Sequence, residues 1–275
     1  MNPSIVVRRA SSALLVVLAA ALAAGAVRAH RFDASLPEPL DGAPAALGAE
    51  VGDDLPFEPF AFAVVGAPRG DAAALARALD AASRDAPLAF AVVFGDVLPS
   101  DAARLAPFAA TLRRVLPVVL LAGPHDAWPD DADPRLAALA QPVLAFAFTS
   151  HGCTFRGGDA SPDVPRGDDV GDPSAATFVF ARDDEPRSAS HVLAPPASDA
   201  HALAYEVVHV GSPTAWTRTP GRVARRTSPA ALWDELTLGA LRPHVAGAAG
   251  LAAALAAAFL LACGGLVLSR RPASP

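Results

Sequence analysis

The stretches FAVVGAPRG (residues 62–70), AFAVVFGD (residues 89–96) and VVLLAGPHD (residues 118–126) decide the fold of this chain. Each is an apolar run that ends in a glycine-containing turn, and the segments between them are rich in Ala, Leu and Arg. Apolar runs that alternate with helical segments indicate a parallel sheet that is buried on both faces. Ligands of such sheets bind at the carboxyl ends of the strands. The sequence therefore predicts that any functional site lies at these three turns.

The composition narrows the classes of function. The 275 residues carry 22 basic and 28 acidic side chains, and the resulting net charge of −6 argues against a nucleic-acid partner. All 22 basic residues are Arg and the only Asn is Asn2, which indicates a compositional bias, so that one Arg, Ala or Pro is weak evidence by itself. The hydrophobic content of 52% is high for a soluble protein, and the two ends of the chain account for the excess.

The first apolar segment is typical of an export signal. Arg8 and Arg9 precede an uncharged run at residues 10–27, and small residues flank Arg28 in the sequence Val27-Arg28-Ala29. This pattern predicts a secretory signal peptide at residues 1–29, cleaved after Ala29. An uncleaved N-terminal anchor fits the same pattern and remains an alternative.

The last apolar segment predicts a membrane anchor. The uncharged run at residues 245–268 is long enough to cross a bilayer, which takes roughly 20 apolar residues. Arg270 and Arg271 follow it and place the tail, residues 269–275, in the cytoplasm by the positive-inside rule. Residues 228–244 are predicted to form an amphipathic juxtamembrane helix. The sequence thus predicts a single-pass protein of the cell membrane whose main domain lies outside the cytoplasm, in the periplasm or the extracellular space.

The main domain is predicted to cover residues 60–227. A segment rich in Pro, Gly and Ala at residues 30–59 precedes it and is interpreted as a linker or extended arm. Beyond the three turns, the sequence predicts a hairpin around residues 150–152 and apolar strands at residues 177–181 and 204–210.

The order of the turns resembles that of the calcineurin-like metallophosphoesterase family. In that family D-x-H follows the first strand, G-D the second and G-N-H-[DE] the third, before a lone His and a final G-H-x-H. Here GAPR (residues 66–69), GD (residues 95–96) and GPHD (residues 123–126) stand at the first three motifs. The resemblance covers roughly residues 60–216 and implies a four-layer α/β fold, in which two sheets are flanked by helices, with a two-metal site at the turns.

The residues at the motif positions depart from the family. The Asp and the His of the first motif fall on Ala67 and Arg69, and the Asn of the third motif falls on Pro124. The Asp that bridges the metals matches Asp96, and the His that protonates the leaving group matches His125. A two-metal centre needs carboxylate and imidazole ligands around both ions. The resemblance therefore implies a vestigial site, and no cofactor is expected.

Two later positions extend the comparison. The lone His of the family falls on Arg182, and only Ser190-His191 resembles the last motif, which makes His191 a weak candidate for a metal ligand. Because an unpaired carboxylate at a partly buried strand end is costly, Arg69 or Arg182 is predicted to pair with Asp96 in place of a metal, or to bind an anion. The alternative is that both arginines are solvated surface residues.

These observations predict a membrane-anchored, extracytoplasmic metallophosphoesterase-like domain that is catalytically inactive and has a binding or scaffolding role. Its expected partners are the membrane, through the C-terminal helix, and a protein at the membrane surface. The alternative is an active phosphoesterase with a reduced site, in which one Mn, Fe or Zn ion is bound by Asp96 and His125 with help from His191 or water. A purely structural protein of the envelope is a third possibility.

Overall fold

The computed structural model describes residues 3–36, 56–113, 116–127, 133–140, 142–158, 176–180, 191–226 and 228–270. The chain divides into two compact units. The central unit consists of Pro37–Ala231, and the helical unit combines Met1–Leu36 with Leu232–Pro275.

The first sheet of the central unit has five strands: β1 (Phe60–Val65), β2 (Ala91–Gly95), β3 (Val118–Ala122), β8 (Ala202–Ser212) and β9 (Ala215–Ala224). Their order is β3-β2-β1-β8-β9. The first three strands pair in parallel, as the three apolar runs predict, and β8 and β9 pair antiparallel. The edge strand β9 was not predicted, because its side chains are mostly exposed and its sequence contains no apolar run.

The second sheet has four strands in the order β4-β5-β6-β7: β4 (Ala145–Ser150), β5 (Cys153–Gly158), β6 (Thr177–Phe180) and β7 (His191–Leu193). The predicted hairpin is confirmed, since β4 and β5 pair antiparallel. His151 and Gly152 form its turn with φ values of 50° and 67°, the left-handed pair that matches the twist of a two-residue hairpin. With three residues, β7 is too short to give a sequence signal.

The two sheets pack through phenylalanine rings. Phe62 of the first sheet lies 5.4 Å from Phe155 and 5.6 Å from Phe178 of the second, measured between ring centroids. Phe90, which directly precedes β2, lies 5.4 Å from Phe148. These are the separations of favourable aromatic pairs, and the rings are buried. The core of the central unit therefore lies between the two sheets.

Helices cover the other face of the first sheet: α2 (Ala72–Asp85) and α3 (Ala102–Leu112), with a short helix α4 (Pro134–Ala140) following β3. Asp71 caps α2 by accepting a hydrogen bond of 2.8 Å from Ala74 N. The α2 side chains Leu75 and Leu79 are buried, and so are Ala63 and Val65, which alternate along β1 with the core-facing Phe62 and Val64. Both faces of the first sheet are thus buried at β1, as its continuous apolar run predicts.

The central unit is accordingly a mixed α/β fold with two sheets. That coarse part of the prediction is confirmed, while the four-layer metallophosphoesterase-like arrangement remains a prediction. Residues 159–175 and 181–190, which connect the strands of the second sheet, lie outside the described residues.

The helical unit contains α1 (Pro3–Ala34) and the C-terminal helices: α5 (Pro229–Asp234) from Leu232 onward, a π-helical stretch (Glu235–Leu241), α6 (Arg242–Val245) and α7 (Ala248–Arg270). Two segments, Arg9–Ala34 and Ala248–Val267, are long and apolar enough to cross a membrane. The helix α1 continues through residues 30–34, where the sequence predicted the start of a linker. The composition of this segment did not indicate a helix. In the structure, however, His30 contacts the carbonyl of Val245 and Asp33 pairs with Arg242 in the C-terminal helices.

Candidate functional site

The three turns meet at one edge of the first sheet, which we call the rim (residues 66–70, 95–98 and 123–126). They meet there because β1, β2 and β3 are parallel neighbours. Arg69 N donates a hydrogen bond of 2.7 Å to Asp96 O, and Gly70 N donates one of 3.0 Å to Val97 O. The rim therefore brings together Ala67, Asp96 and His125, the positions that the sequence placed at one site.

Gly123 allows the second and third turns to approach closely. A Cβ at this position would lie 2.4 Å from the carbonyl carbon of Gly95 and 2.6 Å from Asp96 N. Both neighbours are backbone atoms, so they cannot move aside as a flexible side chain could. Glycine is therefore needed here for Asp96 to lie against the third turn.

Asp126 binds the third turn to the second. Its Oδ1 accepts hydrogen bonds from Val97 N at 2.7 Å and Leu98 N at 2.8 Å, and its Oδ2 accepts one from Gly123 N at 2.8 Å. The carboxylate is thus occupied by three backbone N–H groups. Sequence reasoning gave Asp126 no role of its own, although aspartate often accepts backbone hydrogen bonds in turns.

Asp96 and His125 form the charged contact of the rim. His125 Nδ1 lies 3.1 Å from Oδ1 and 3.2 Å from Oδ2 of Asp96. Because an ionised carboxylate only accepts hydrogen bonds, Nδ1 of His125 carries the proton in this contact. The His125 side chain is 79% exposed and that of Asp96 24% exposed, so Nε2 is accessible to a proton donor or to a ligand.

Arg69 does not pair with Asp96 in the described part of the chain, where the ionic partner of Asp96 is His125. Arg69 is exposed, and its backbone has a φ of 52°, in the left-handed region. This conformation turns its N–H towards Asp96 O. The predicted pairing of Arg69 with Asp96 is therefore not observed. Arg182, the other predicted partner, lies outside the described residues.

Arg225, which sequence reasoning missed, supports the first turn of the rim. Its guanidinium donates hydrogen bonds to Ala67 O, to Pro68 O at 2.7 Å and to Asp199 O at 3.0 Å. The side chain is only 12% exposed, and this burial lowers the pKa of Arg225, partly offset by the nearby carboxylate of Asp71. Nothing in the sequence distinguishes Arg225 from the other arginines.

His191 belongs to the second sheet and is engaged at both ring nitrogens. Trp216 Nε1 donates a hydrogen bond of 3.1 Å to His191 Nδ1, and His191 Nε2 lies 3.2 Å from Pro213 O. The proton is therefore on Nε2, which donates it to that carbonyl. The ring also packs 5.1 Å from the ring of Phe178. These contacts give His191 a structural role, and its part in metal binding remains an untested prediction.

A two-metal centre does not fit the residues of the rim. Ala67 and Pro124 offer no side-chain donor atom, Arg69 adds a positive charge, and the carboxylate of Asp126 is occupied by backbone N–H groups. Within the described residues, no group of three or more His, Cys, Asp or Glu side chains is placed to hold a metal ion. Comparison of the chain with protein-family models, with curated proteins and with solved structures gives no match.

Proposed function

We propose that the central unit is a metallophosphoesterase-like domain without catalytic activity, which binds or scaffolds a protein partner at a membrane surface. The observation that carries this proposal is the state of the two rim carboxylates. Asp126 is committed to three backbone N–H groups, and Asp96 is in contact with His125. Of the two side chains best suited to hold a cation, Asp126 therefore binds the turns of the rim, and Asp96 is shared with His125.

The charges around Asp96 support the same conclusion. A cation would compete with His125 for the carboxylate, and it would meet the exposed Arg69 at a position where the family has a neutral ligand. An anionic group of a partner would be attracted to Arg69 and would accept hydrogen bonds from its guanidinium. We therefore propose the rim as the binding surface.

The location proposed for this unit is the outer side of a cell membrane. Candidate membrane-spanning helices lie on both sides of the central unit in the sequence, and either helix could anchor it. Basic residues lie at the outer ends of both apolar segments, Arg8 and Arg9 before the first and Arg270 and Arg271 after the second. The positive-inside rule then assigns these ends to the cytoplasm and the central unit to the opposite side.

Turnover of a generic phosphodiester tests the absence of catalysis. The full-length protein, purified in mild detergent, would be assayed with bis(4-nitrophenyl) phosphate in the presence of Mn²⁺, Fe²⁺ or Zn²⁺, and its metal content would be measured after dialysis. We expect no stoichiometric metal, and a rate equal to that of His125→Ala. Metal-dependent turnover that His125→Ala abolishes would contradict the proposal.

The second candidate is a hydrolase with one metal ion, and the contact between Asp96 and His125 favours it. A carboxylate on Nδ1 fixes the tautomer of a histidine and raises the basicity of Nε2, which suits proton transfer or metal binding. For this candidate, Asp96→Asn would lower the rate and change its dependence on pH. For the inactive domain, Asp96→Asn and the unmodified protein would be equally inactive.

A further inference from the structure

The helix α1 lies antiparallel to α7 in the helical unit. Near the start of α1, Ser12 Oγ donates a hydrogen bond to Gly265 O. Near its end, His30 Nδ1 lies 3.0 Å from Val245 O and 3.1 Å from Ala246 O. Residue numbers rise along α1 while those of its partners fall, so the two helices form an antiparallel pair.

Two ion pairs join the end of α1 to the C-terminal helices. Asp33 accepts a hydrogen bond of 2.8 Å from Arg242 Nη2, and the two side chains are only 10% and 9% exposed. Arg28 forms a second ion pair with Asp234 and lies 3.5 Å from Thr237 Oγ1. Because an uncompensated buried charge is costly, Arg242 and Asp33 depend on each other.

Close packing supports the contact between these charges. Gly25 lies against the π-helical stretch, where a Cβ would be 3.0 Å from Thr237 Cγ2 and 3.3 Å from Leu241 Cδ2. Ala26 and Ala29 are fully buried in a cluster with Val245. The site at which a signal peptidase would cut, after Ala29, is thus helical and covered, whereas proteolysis favours exposed and irregular backbone.

The outer sides of both helices are apolar. Large side chains that are exposed include Leu14 (59%) and Leu18 (49%) on α1, and Phe259 and Leu260 (68% each) on α7. Exposed apolar surface of this extent marks an interaction site. Lipid would cover these side chains while the ion pairs remain at one end of the pair.

We propose that α1 is retained as a second membrane span that pairs with α7 of the same chain, so that the anchor is an antiparallel pair of helices from the two ends of the chain. Cleavage after Ala29 would remove Ser12, Gly25 and Arg28, each of which contacts the C-terminal helices. Both basic ends, at Arg8-Arg9 and Arg270-Arg271, then lie on one side of the membrane. The proposal does not depend on what the rim binds.

The mass of the mature protein tests retention. The full-length chain would be produced in bacterial membranes with a C-terminal affinity tag, and its intact mass and N-terminal sequence determined. We expect the untagged part to account for the whole 27.9 kDa of the chain. A mature N-terminus at His30 would overturn the proposal.

Disulfide formation tests the pairing. In a background without the two native cysteines (Cys153→Ala, Cys263→Ser), His30→Cys and Ala246→Cys are combined and oxidised in native membranes. The control combines Ala246→Cys with Arg31→Cys, because Arg31 is the exposed neighbour of His30. We expect an intrachain disulfide to form roughly tenfold faster in the first pair, since disulfides need close and correctly oriented Cβ atoms. Equal rates, or a bond that forms only between two copies, would overturn the proposal.

Charge reversal separates the pairing from general damage to the fold. Asp33→Arg and Arg242→Asp should each lower the disulfide yield of the His30→Cys, Ala246→Cys pair severalfold. The double reversal should restore it, because the ion pair is re-formed with opposite polarity. Failure of the double reversal to exceed either single variant would overturn the assignment of Asp33 and Arg242 as partners.

Discussion

The rim of the first sheet contains two regions that use similar residues in opposite ways. In the floor of the rim, Gly123, Asp126 and the backbone of Val97 and Leu98 are joined by short hydrogen bonds. On its lip, the Asp96 carboxylate contacts Nδ1 of the largely exposed His125 side chain and accepts a hydrogen bond of 3.4 Å from His125 N. The difference shows that carboxylate-to-backbone hydrogen bonds fix the turns of the floor, whereas the side-chain contact on the lip faces solvent.

The largest effect is expected at Asp126. The substitution Asp126→Ala leaves three backbone N–H groups without their charged acceptor, and we expect the free energy of unfolding to fall by about 3 kcal/mol. Urea denaturation of the full-length protein in detergent, followed by tryptophan fluorescence, would measure the change. Asp126→Asn keeps one acceptor oxygen and should cost clearly less. A loss below about 1 kcal/mol in Asp126→Ala would show that the floor does not depend on this carboxylate.

The close approach at Gly123 comes next. Gly123→Ala places a Cβ against the backbone of Gly95 and Asp96, and overpacking of this kind should lower the free energy of unfolding by about 2 kcal/mol. Gly211→Ala is the matched control, because the nearest atom to its Cβ would be Ala215 O at 3.7 Å. In the same denaturation experiment, equal stabilities of the two variants would contradict the crowding at the floor.

A smaller effect is expected at Arg225, whose guanidinium donates hydrogen bonds to the first turn of the rim. Arg225→Met keeps most of the apolar stem but removes the hydrogen bonds to Ala67 O and Pro68 O. We expect a loss of about 1.5 kcal/mol in the free energy of unfolding. Arg222→Met, at a side chain that is 60% exposed, should change stability by less than about 0.5 kcal/mol. Indistinguishable variants would mean that Arg225 is not a structural support.

The smallest effect is expected on the lip. His125→Ala removes a side chain that is 79% exposed, so the free energy of unfolding should change by less than about 0.5 kcal/mol. Asp96→Ala should cost more than His125→Ala but clearly less than Asp126→Ala, because the Asp96 side chain is only 24% exposed and accepts one weak backbone hydrogen bond, of 3.4 Å, from His125 N. If either variant were as destabilised as Asp126→Ala, the distinction between the floor and the lip would be lost.

Sequence reasoning succeeded where the signal is local. Contacts such as the cap of Asp71 on Ala74 N, only three residues along the chain, are of the kind that a sequence pattern can reveal. The hairpin at residues 150–152 was recognised from short apolar strands around a turn. Reasoning failed at Arg225, whose contacts to Ala67 and Pro68 are 158 and 157 residues away in the chain.

The sequence by itself determined the three parallel strands, the turns at their carboxyl ends and the two apolar segments at the ends of the chain. Continuous runs of apolar side chains are sufficient for this, because burial depends on residue type and spacing. The tertiary structure decided which polar groups meet. It joined Asp96 to His125 instead of Arg69, gave Asp126 three backbone partners, and placed Asp33 on Arg242. These choices depend on distance and orientation in space, which neither composition nor spacing along the chain records.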